Sequence, residues 1–543
     1  MSKLASTSPS TVAAGAARVT AAFAGPAFFG LSGSGNFHLT HDLRDAGLEY
    51  FAATHEMGAV AMADAYARTT GTIGVVTFSQ GPGLTHAVTA LRESVRSHTP
   101  LVALAAALPR HEADHNQYAD QVAIAAAVGA GVEVLTRTET VLDDVARAFR
   151  RAATEERPVV LMLPTDLQGE QFDESIAFDP RLLELPRAPD PDRKAIEAAA
   201  RLIADAWRPV ILAGRGAATA GAGAEIAAVA DATGATLLTS TQAHSLFREH
   251  PRALGLAGGF GSPTARAALA EADVVVVFGC SLNPWTLAGN ADLAAHAAIV
   301  RVDSHPRAFA TAGPTDLPIL ADCRAAATAL LGHLEGSRSA DAAPAAPSDT
   351  VSARAPRGGT RTIDPADLTR RLDEMLPAER TVAIDSGNFM VFPASMLGAP
   401  DPPGFLLAQG YMSMGLGIAG AIGAAVARPE RLPVVAVGDG GAKMSIGELE
   451  TAVRYDLPLL IVVYNDAAFG AEVHDFGESG RPLDTVRFGD VDFATVARGF
   501  GAAGVTVRSV ADLDAINEWL SDRPGPLLVD AKVDPTIAGP WVD

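Results

Sequence analysis

The chain has 543 residues, too many for one hydrophobic core, and 48% of them are apolar against 19% charged, the balance of a large globular protein of about three domains. Its formal charge is −21, from 63 acidic and 42 basic residues, a field that repels nucleic acid and anionic membrane. Two cysteines, Cys280 and Cys323, exclude a disulfide framework and any CxxC zinc or redox site, so both read as small core hydrophobes.

In chain order, the Ala-rich start from Val12 to Leu31 is interrupted by Arg18, which favours a first amphipathic helix over a signal peptide. No uninterrupted apolar stretch approaches the ~20 residues a bilayer requires, and a cytoplasmic protein is expected. Short β-branched runs follow, Ile73 to Phe78, Leu101 to Ala105 and Val159 to Leu163, alternating with Ala-rich helical stretches. That alternation implies a parallel sheet covered on both faces. Inside this unit Thr54-His55-Glu56 opens an Ala-rich helix through Tyr66, and Ser79-Gln80-Gly81-Pro82-Gly83 follows the strand ending at Phe78. A glutamate at a helix start is, by itself, ordinarily a solvated charge at the favourable end of the dipole.

Pro186, Pro189 and Pro191 mark a linker, and a second unit has strands at Pro209 to Ala213, Thr236 to Leu238, Val274 to Phe278 and Ile299 to Val302. Gly214-Arg215-Gly216 lacks the third glycine of a dinucleotide fingerprint, which would fall on Thr219. Residues 336–361 are rich in Ser, Ala, Pro and Arg and cannot support a core, so they read as a flexible linker. The third unit has strands at Val382 to Asp385, Val434 to Val437, Leu459 to Tyr464 and Leu527 to Val533. The expected fold class is α/β, with three doubly wound parallel-sheet domains over residues 1–185, 192–335 and 362–543.

The sharpest motif is Gly438-Asp439-Gly440-Gly441, which ends a buried strand and precedes an expected helix from about Ser445 to Tyr455. The next strand ends in Asn465-Asp466. Both segments finish at the same sheet edge, where open α/β sheets bind ligands. Glycines let backbone approach a diphosphate, and a carboxylate beside a diphosphate makes sense only with a cation between them. An Asp plus a second oxygen ligand bridging to phosphate is magnesium chemistry.

The stretch from Gly438 to Asp466 resembles the metal and diphosphate motif of thiamine diphosphate enzymes of the acetolactate synthase and pyruvate decarboxylase superfamily, which opens with GDG and closes on a paired Asn-Asn. The resemblance implies Mg2+ held by Asp439, Asp466 and the backbone carbonyl of Ala468, with Gly438, Gly440, Gly441 and Asn465 around the diphosphate. This chain departs from the pattern at Asp466, where the family usually has Asn, and so adds a negative charge beside the diphosphate. Thr54 to Tyr66, with Gln80 and its glycine turn, is similar to the family's pyrimidine-binding domain, in which a glutamate, here Glu56, meets the aminopyrimidine ring. Tyr411-Met412-Ser413-Met414-Gly415-Leu416-Gly417 resembles the segment whose large apolar residue, here Met414, wedges under the cofactor. Gly387 and Asn388 match a further diphosphate-side turn. The domain order implied is pyrimidine-binding, middle, diphosphate-binding. The site implied lies between the first domain of one subunit and the third of another, in a homodimer or a dimer of dimers.

The activity implied is C–C bond cleavage or formation: a 2-oxo acid is decarboxylated to an enamine, which is protonated to an aldehyde or joined to a second carbonyl of an aldehyde or ketone acceptor. His111 and His115 precede Asn116-Gln117 where family members place substrate-facing groups, and His115 is the candidate. Glu472 stands where decarboxylases of the pyruvate type carry a proton-handling glutamate. Asp475 stands near the position of a tryptophan in acetolactate synthases, which argues against a housekeeping acetolactate synthase and leaves an acyl transferase of that type as the alternative. Some relatives bind FAD or ADP through the middle domain, where Asp303 ends a strand. A nucleotide-dependent dehydrogenase is disfavoured by the missing glycine, and a noncatalytic homologue by the presence of Glu56.

Overall fold

The computed structural model describes residues 10–539 apart from 113, 174–180, 182–183, 185–187, 291, 311–312, 314–315 and 335–361. The expected linker at 336–361 and Pro186 of the first linker therefore lie outside the described residues.

Three six-stranded parallel sheets follow one another along the chain. The first holds β1 (Ala27–Leu31), β2 (Glu49–Ala52), β3 (Gly74–Phe78), β4 (Leu101–Ala107), β5 (Gly131–Val134) and β6 (Pro158–Pro164), in the order β2-β1-β3-β4-β6-β5. The second holds β7 (Pro209–Ala213), β8 (Thr236–Thr239), β9 (Ala253–Leu256), β10 (Val274–Phe278), β11 (Ala298–Asp303) and β12 (Asp316–Leu320), in the order β12-β11-β10-β7-β8-β9. The third holds β13 (Arg380–Ile384), β14 (Phe405–Leu407), β15 (Leu432–Gly438), β16 (Leu460–Asn465), β17 (Ala503–Val507) and β18 (Leu527–Lys532), in the order β14-β13-β15-β16-β18-β17. Central strands such as β10, with the sequence VVVVF, are buried at every residue, because a parallel sheet with helices on both faces offers no wet side. The α/β expectation holds in all three units.

Two expected elements are corrected. The Val12 to Leu31 stretch is not one helix: the helix ends at Phe23, and Ala27–Leu31 is the internal strand β1. Pro26, which cannot continue a helix, and the extended backbone of Ala24 explain the break. The helix expected from Ser445 to Tyr455 is two helices, Asp439–Ser445 and Glu448–Arg454, and the first begins at Asp439 itself. No described helix is long and apolar enough to cross a membrane.

The first and third domains share one core. Twelve of the fifteen residues of the Glu56–Thr70 helix are buried, because it is sandwiched between its own sheet and the Gly417–Ala427 helix of the third domain. Its alanines suit that position. Gly423 lies so close to the Met62 backbone that a Cβ there would collide with the Met62 carbonyl.

The third sheet reverses direction between β13 and β15: the chain runs outward from β13 to β14, then returns to add β15 on the other side. Ligand crevices in open α/β sheets open at such a point, beyond the carboxyl ends of the strands. Residues 385–388 and 438–441 meet there.

Candidate active site

Strand register places the two acidic candidates together. Gly438, the last residue of β15, is paired with Tyr464 of β16, so Asp439 and Asp466 leave adjacent strands at the same level. Asp439 is 2% exposed, and its Oδ2 is buried without a hydrogen-bond partner. Burial, and then the neighbouring Asp466, push the Asp439 carboxyl up to about 8. Burial likewise raises Asp466. Two buried carboxyl groups side by side are unfavourable unless a proton or a cation lies between them.

The loop after Asp466 is pinned from outside. Phe469 donates its N–H to Val486 O at 2.8 Å, and Phe488 donates to Ala467 O at 2.9 Å. These bonds flank Ala468, opposite Arg487, and use the Ala467 carbonyl rather than that of Ala468. The set Asp439, Asp466 and Ala468 carbonyl is all oxygen, the donor type that magnesium and calcium take. The unpartnered Asp439 Oδ2 fits a cation there.

Gly440 and Gly441 sit inside the first turn of the Asp439–Ser445 helix rather than in a loop before it. A Cβ on Gly440 would meet the Phe469 ring, with Met414 Sδ 4.0 Å away, and one on Gly441 would meet Asp385 Oδ2. These glycines therefore admit neighbouring side chains. Gly438 packs against Phe389.

Asp385, just past β13, carries no role in the sequence reading. It is 0% exposed and accepts from Gly415 N at 2.8 Å and Leu416 N at 3.2 Å, and burial pushes its carboxyl up to about 6. Those two bonds fix the turn that presents Met414 beside Gly440. Gly415, at φ +86°, supplies the left-handed residue the turn needs. Gly387 follows at φ +152°, and the Asn388 Oδ1 accepts from Gly539 N at 2.9 Å. Asn465 is buried, and its amide donates to Asp530 Oδ1 at 2.9 Å and Val491 O at 3.2 Å, so it holds the base of the loop after Asp466.

The first domain gathers a second group. Glu56, 7% exposed, is the first residue of its helix, and Glu56 Oε2 lies 3.1 Å from His86 Nδ1, with the His55 and His86 rings stacked at 4.9 Å. Gln80 Nε2 donates to Gln117 Oε1 at 2.8 Å, and Gln117 N donates to His115 Nδ1 at 3.1 Å, which joins the glycine turn to the 115–117 loop. His111 and His115 are exposed, as is Glu472 in the Gly470–Phe476 helix beyond the loop that follows Asp466. Among the described residues, no hydrogen bond or ion pair joins Glu56 to Asp439 or Asp466. What links the two groups is Glu448, 3% exposed, which accepts from Thr54 N at 3.2 Å and His55 N at 3.1 Å.

His86, Asp385, Glu448 and Lys443 were missed by sequence reasoning. Only Lys443 carried a signal, as a lone cation four residues after Asp439 in an apolar stretch. In the middle domain Gly214 N donates to Phe278 O and Gly216 N to Gly279 O, at 2.8 and 2.9 Å, and either glycine's Cβ would strike the 279–280 backbone. These donors are occupied inside the protein.

Comparison with known families matches three successive stretches of the chain: 11–127 to the "Thiamine pyrophosphate enzyme, N-terminal TPP binding domain", 196–330 to the central domain, and 385–531 to the "C-terminal TPP binding domain". Among relatives, the chain is similar to a sulfoacetaldehyde acetyltransferase of Castellaniella defragrans, 29% identical over 91% of this chain and 88% of that protein. It is also similar to a probable acetolactate synthase large subunit of Methanocaldococcus jannaschii, 27% identical over 95% and 90%, and to the acetolactate synthase isozyme 3 large subunit of Escherichia coli, 27% identical over 91% and 88%.

Proposed function

Because the chain belongs to the thiamine pyrophosphate enzyme family, we propose that it breaks or forms a carbon–carbon bond beside a carbonyl, acting on a 2-oxo acid and, in the forming direction, on an aldehyde or ketone acceptor, with the cofactor anchored through Mg2+. The observation that carries this reading is the pair of buried carboxyl groups at adjacent strand ends, with Asp439 Oδ2 unpartnered and Met414 beside Gly440. When bound, thiamine diphosphate supplies the electron sink that such bond changes require. Asp439, Asp466 and the Ala468 carbonyl would hold the metal, with Gly387 and Asn388 on the diphosphate side and Met414 as the apolar prop. Glu56, steadied by His86, would hold a proton at its carboxyl toward the bound cofactor and so act as general acid and base. His115, joined to Gln80 through Gln117, and Glu472 are the substrate-side candidates.

The lack, among the described residues, of a hydrogen bond or ion pair between Glu56 and Asp439 or Asp466 supports a site completed by a second copy, in a dimer or a dimer of dimers. The occupied donors of Gly214 and Gly216 speak against FAD or ADP in the middle domain, to which we assign a structural role. The acidic net charge favours small-molecule partners over nucleic acid or membrane. A second reading, an acyl transferase of the acetolactate synthase type, draws on the relatives named sulfoacetaldehyde acetyltransferase.

The test is Asp439→Ala. The variant, stripped with EDTA, is expected to lose retention of thiamine diphosphate, with no rescue by added magnesium; tight retention would sink the metal assignment. A screen of 2-oxo acids with and without an acceptor aldehyde, scored for CO2 release, then separates decarboxylation from ligation.

A further inference from the structure

Asp466 places a second carboxylate where the metal motif usually offers a neutral amide, and the structure holds an unassigned cation, Lys443, beside the first, Asp439. Lys443 lies one helical turn beyond Asp439, so its direction is dictated by the helix. Its Nζ is 3.8 Å from Asp439 Oδ2, the oxygen that has no hydrogen-bond partner, and 3.1 Å from the centre of the Phe488 ring. A cation over an aromatic face is attracted by the ring quadrupole, so Phe488 is a seat for the ammonium. The seat is built by the metal loop itself, since Phe488 is held by its N–H bond to Ala467 O and by edge contact with Phe469.

We propose that Lys443 is the counter-cation of a two-carboxylate metal site and that Lys443 and Asp466 act as a compensating pair; this rests on the metal reading of Asp439 and Asp466 given above. The charge count carries the argument. Asp439 and Asp466 contribute −2 and Lys443 +1, leaving −1, the value one Asp and one Asn would give. The metal and the anionic diphosphate thus meet the field of an ordinary one-aspartate site although this chain has two aspartates. At 3.8 Å the ammonium is too far to occupy the Asp439 oxygen as a direct donor, so it balances charge and leaves that oxygen to the metal.

The inference fixes a pattern of signs across four proteins: wild type, Lys443→Gln, Asp466→Asn and the double variant, with site charges of −1, −2, 0 and −1. Each is stripped with chelator, and two titrations are run by calorimetry, Mg2+ alone and thiamine diphosphate at saturating Mg2+. Lys443→Gln should bind Mg2+ roughly tenfold more tightly and thiamine diphosphate roughly tenfold more weakly, the scale of one unit charge a few ångströms away in a partly wet site. Asp466→Asn should shift both in the opposite sense. The double variant should return to within about threefold of wild type in both titrations. A double variant that binds thiamine diphosphate worse than either single variant, or a Lys443→Gln protein that matches wild type in both titrations, would overturn the proposal. Asp439→Ala is the control: if it still binds Mg2+ normally, the metal reading has failed and not only the pairing. Melting curves of all four stripped proteins show that the comparison is between folded molecules.

Discussion

His244 is a buried histidine outside the candidate site whose titration is strongly displaced. Its ring stacks on Phe405 at 3.9 Å between centroids, its Nδ1 lies 2.7 Å from Ser245 Oγ, and burial followed by the charge of Arg248 pushes it down to about 4. The folded state thus binds this proton more weakly than the unfolded chain, whose histidine titrates near 6.5. The contribution of neutral His244 is therefore complete above about pH 6.5 and is lost as pH falls toward 4, by up to about 3 kcal/mol. Melting temperature should decline across that window, and His244→Asn should flatten the decline; an unchanged slope would place the titration elsewhere. At Glu472, exposed on the Gly470–Phe476 helix, the expectation concerns products. If Glu472 delivers the proton that ends decarboxylation, Glu472→Gln should slow aldehyde release more than ligation to an added acceptor, and the product ratio should move toward the ligated ketone. An unaltered ratio at near-normal turnover would leave Glu472 a solvated helix-start charge. The cysteines behave as expected: Cys280 and Cys323 are free and buried, and burial raises both thiols.

The elements divide by position in their sheets. The strands named from sequence are all interior ones, whose continuous apolar runs announce burial on both faces, and of the interior strands β1 alone was taken for helix. All six edge strands, β2, β5, β9, β12, β14 and β17, went unnamed. β5, β12 and β17 alternate buried and exposed residues without a clean period, and β14 has only three residues. Edge strands have one covered neighbour and little apolar demand, so local pattern cannot distinguish them from loops. The Glu56–Thr70 helix shows the converse case. Its location was evident, but its start is held by Glu448, which accepts from two backbone N–H groups there and from Thr451 Oγ1 at 2.9 Å. Glu448→Ala would remove the acceptor from those donors, at about 0.5–1.5 kcal/mol each. We expect a lower melting temperature together with faster amide exchange at Thr54 and His55, while exchange in β16 stays slow. Protection at 54–55 equal to wild type would mean that Glu448 does not hold this turn.

At the scale of the whole molecule, the central question is whether Glu56 and Asp439 of one chain serve the same cofactor. If the site is shared between copies, Glu56→Gln and Asp439→Ala proteins should complement. In a random mixture half the dimers are mixed, and one of two sites in each is complete, so unfolding and refolding the two together should restore about one quarter of wild-type activity. A mixture no more active than its components would place the whole site within one chain. Much of this was readable in the residues alone. The α/β class, the order of three domains, the adjacency of Asp439 and Asp466 and the helix start at Glu56 follow from strand ends and turn residues, which are local properties of the chain. Only the tertiary structure decided that Gly440 and Gly441 make room for Phe469 and Asp385, that Asp385 sets the turn after Met414, that Lys443 rests on Phe488 beside Asp439, and that Thr54 is bound to a residue 394 positions away. Those arrangements depend on which surfaces remain close once three sheets are packed, and no local pattern encodes a contact whose partner lies in another domain.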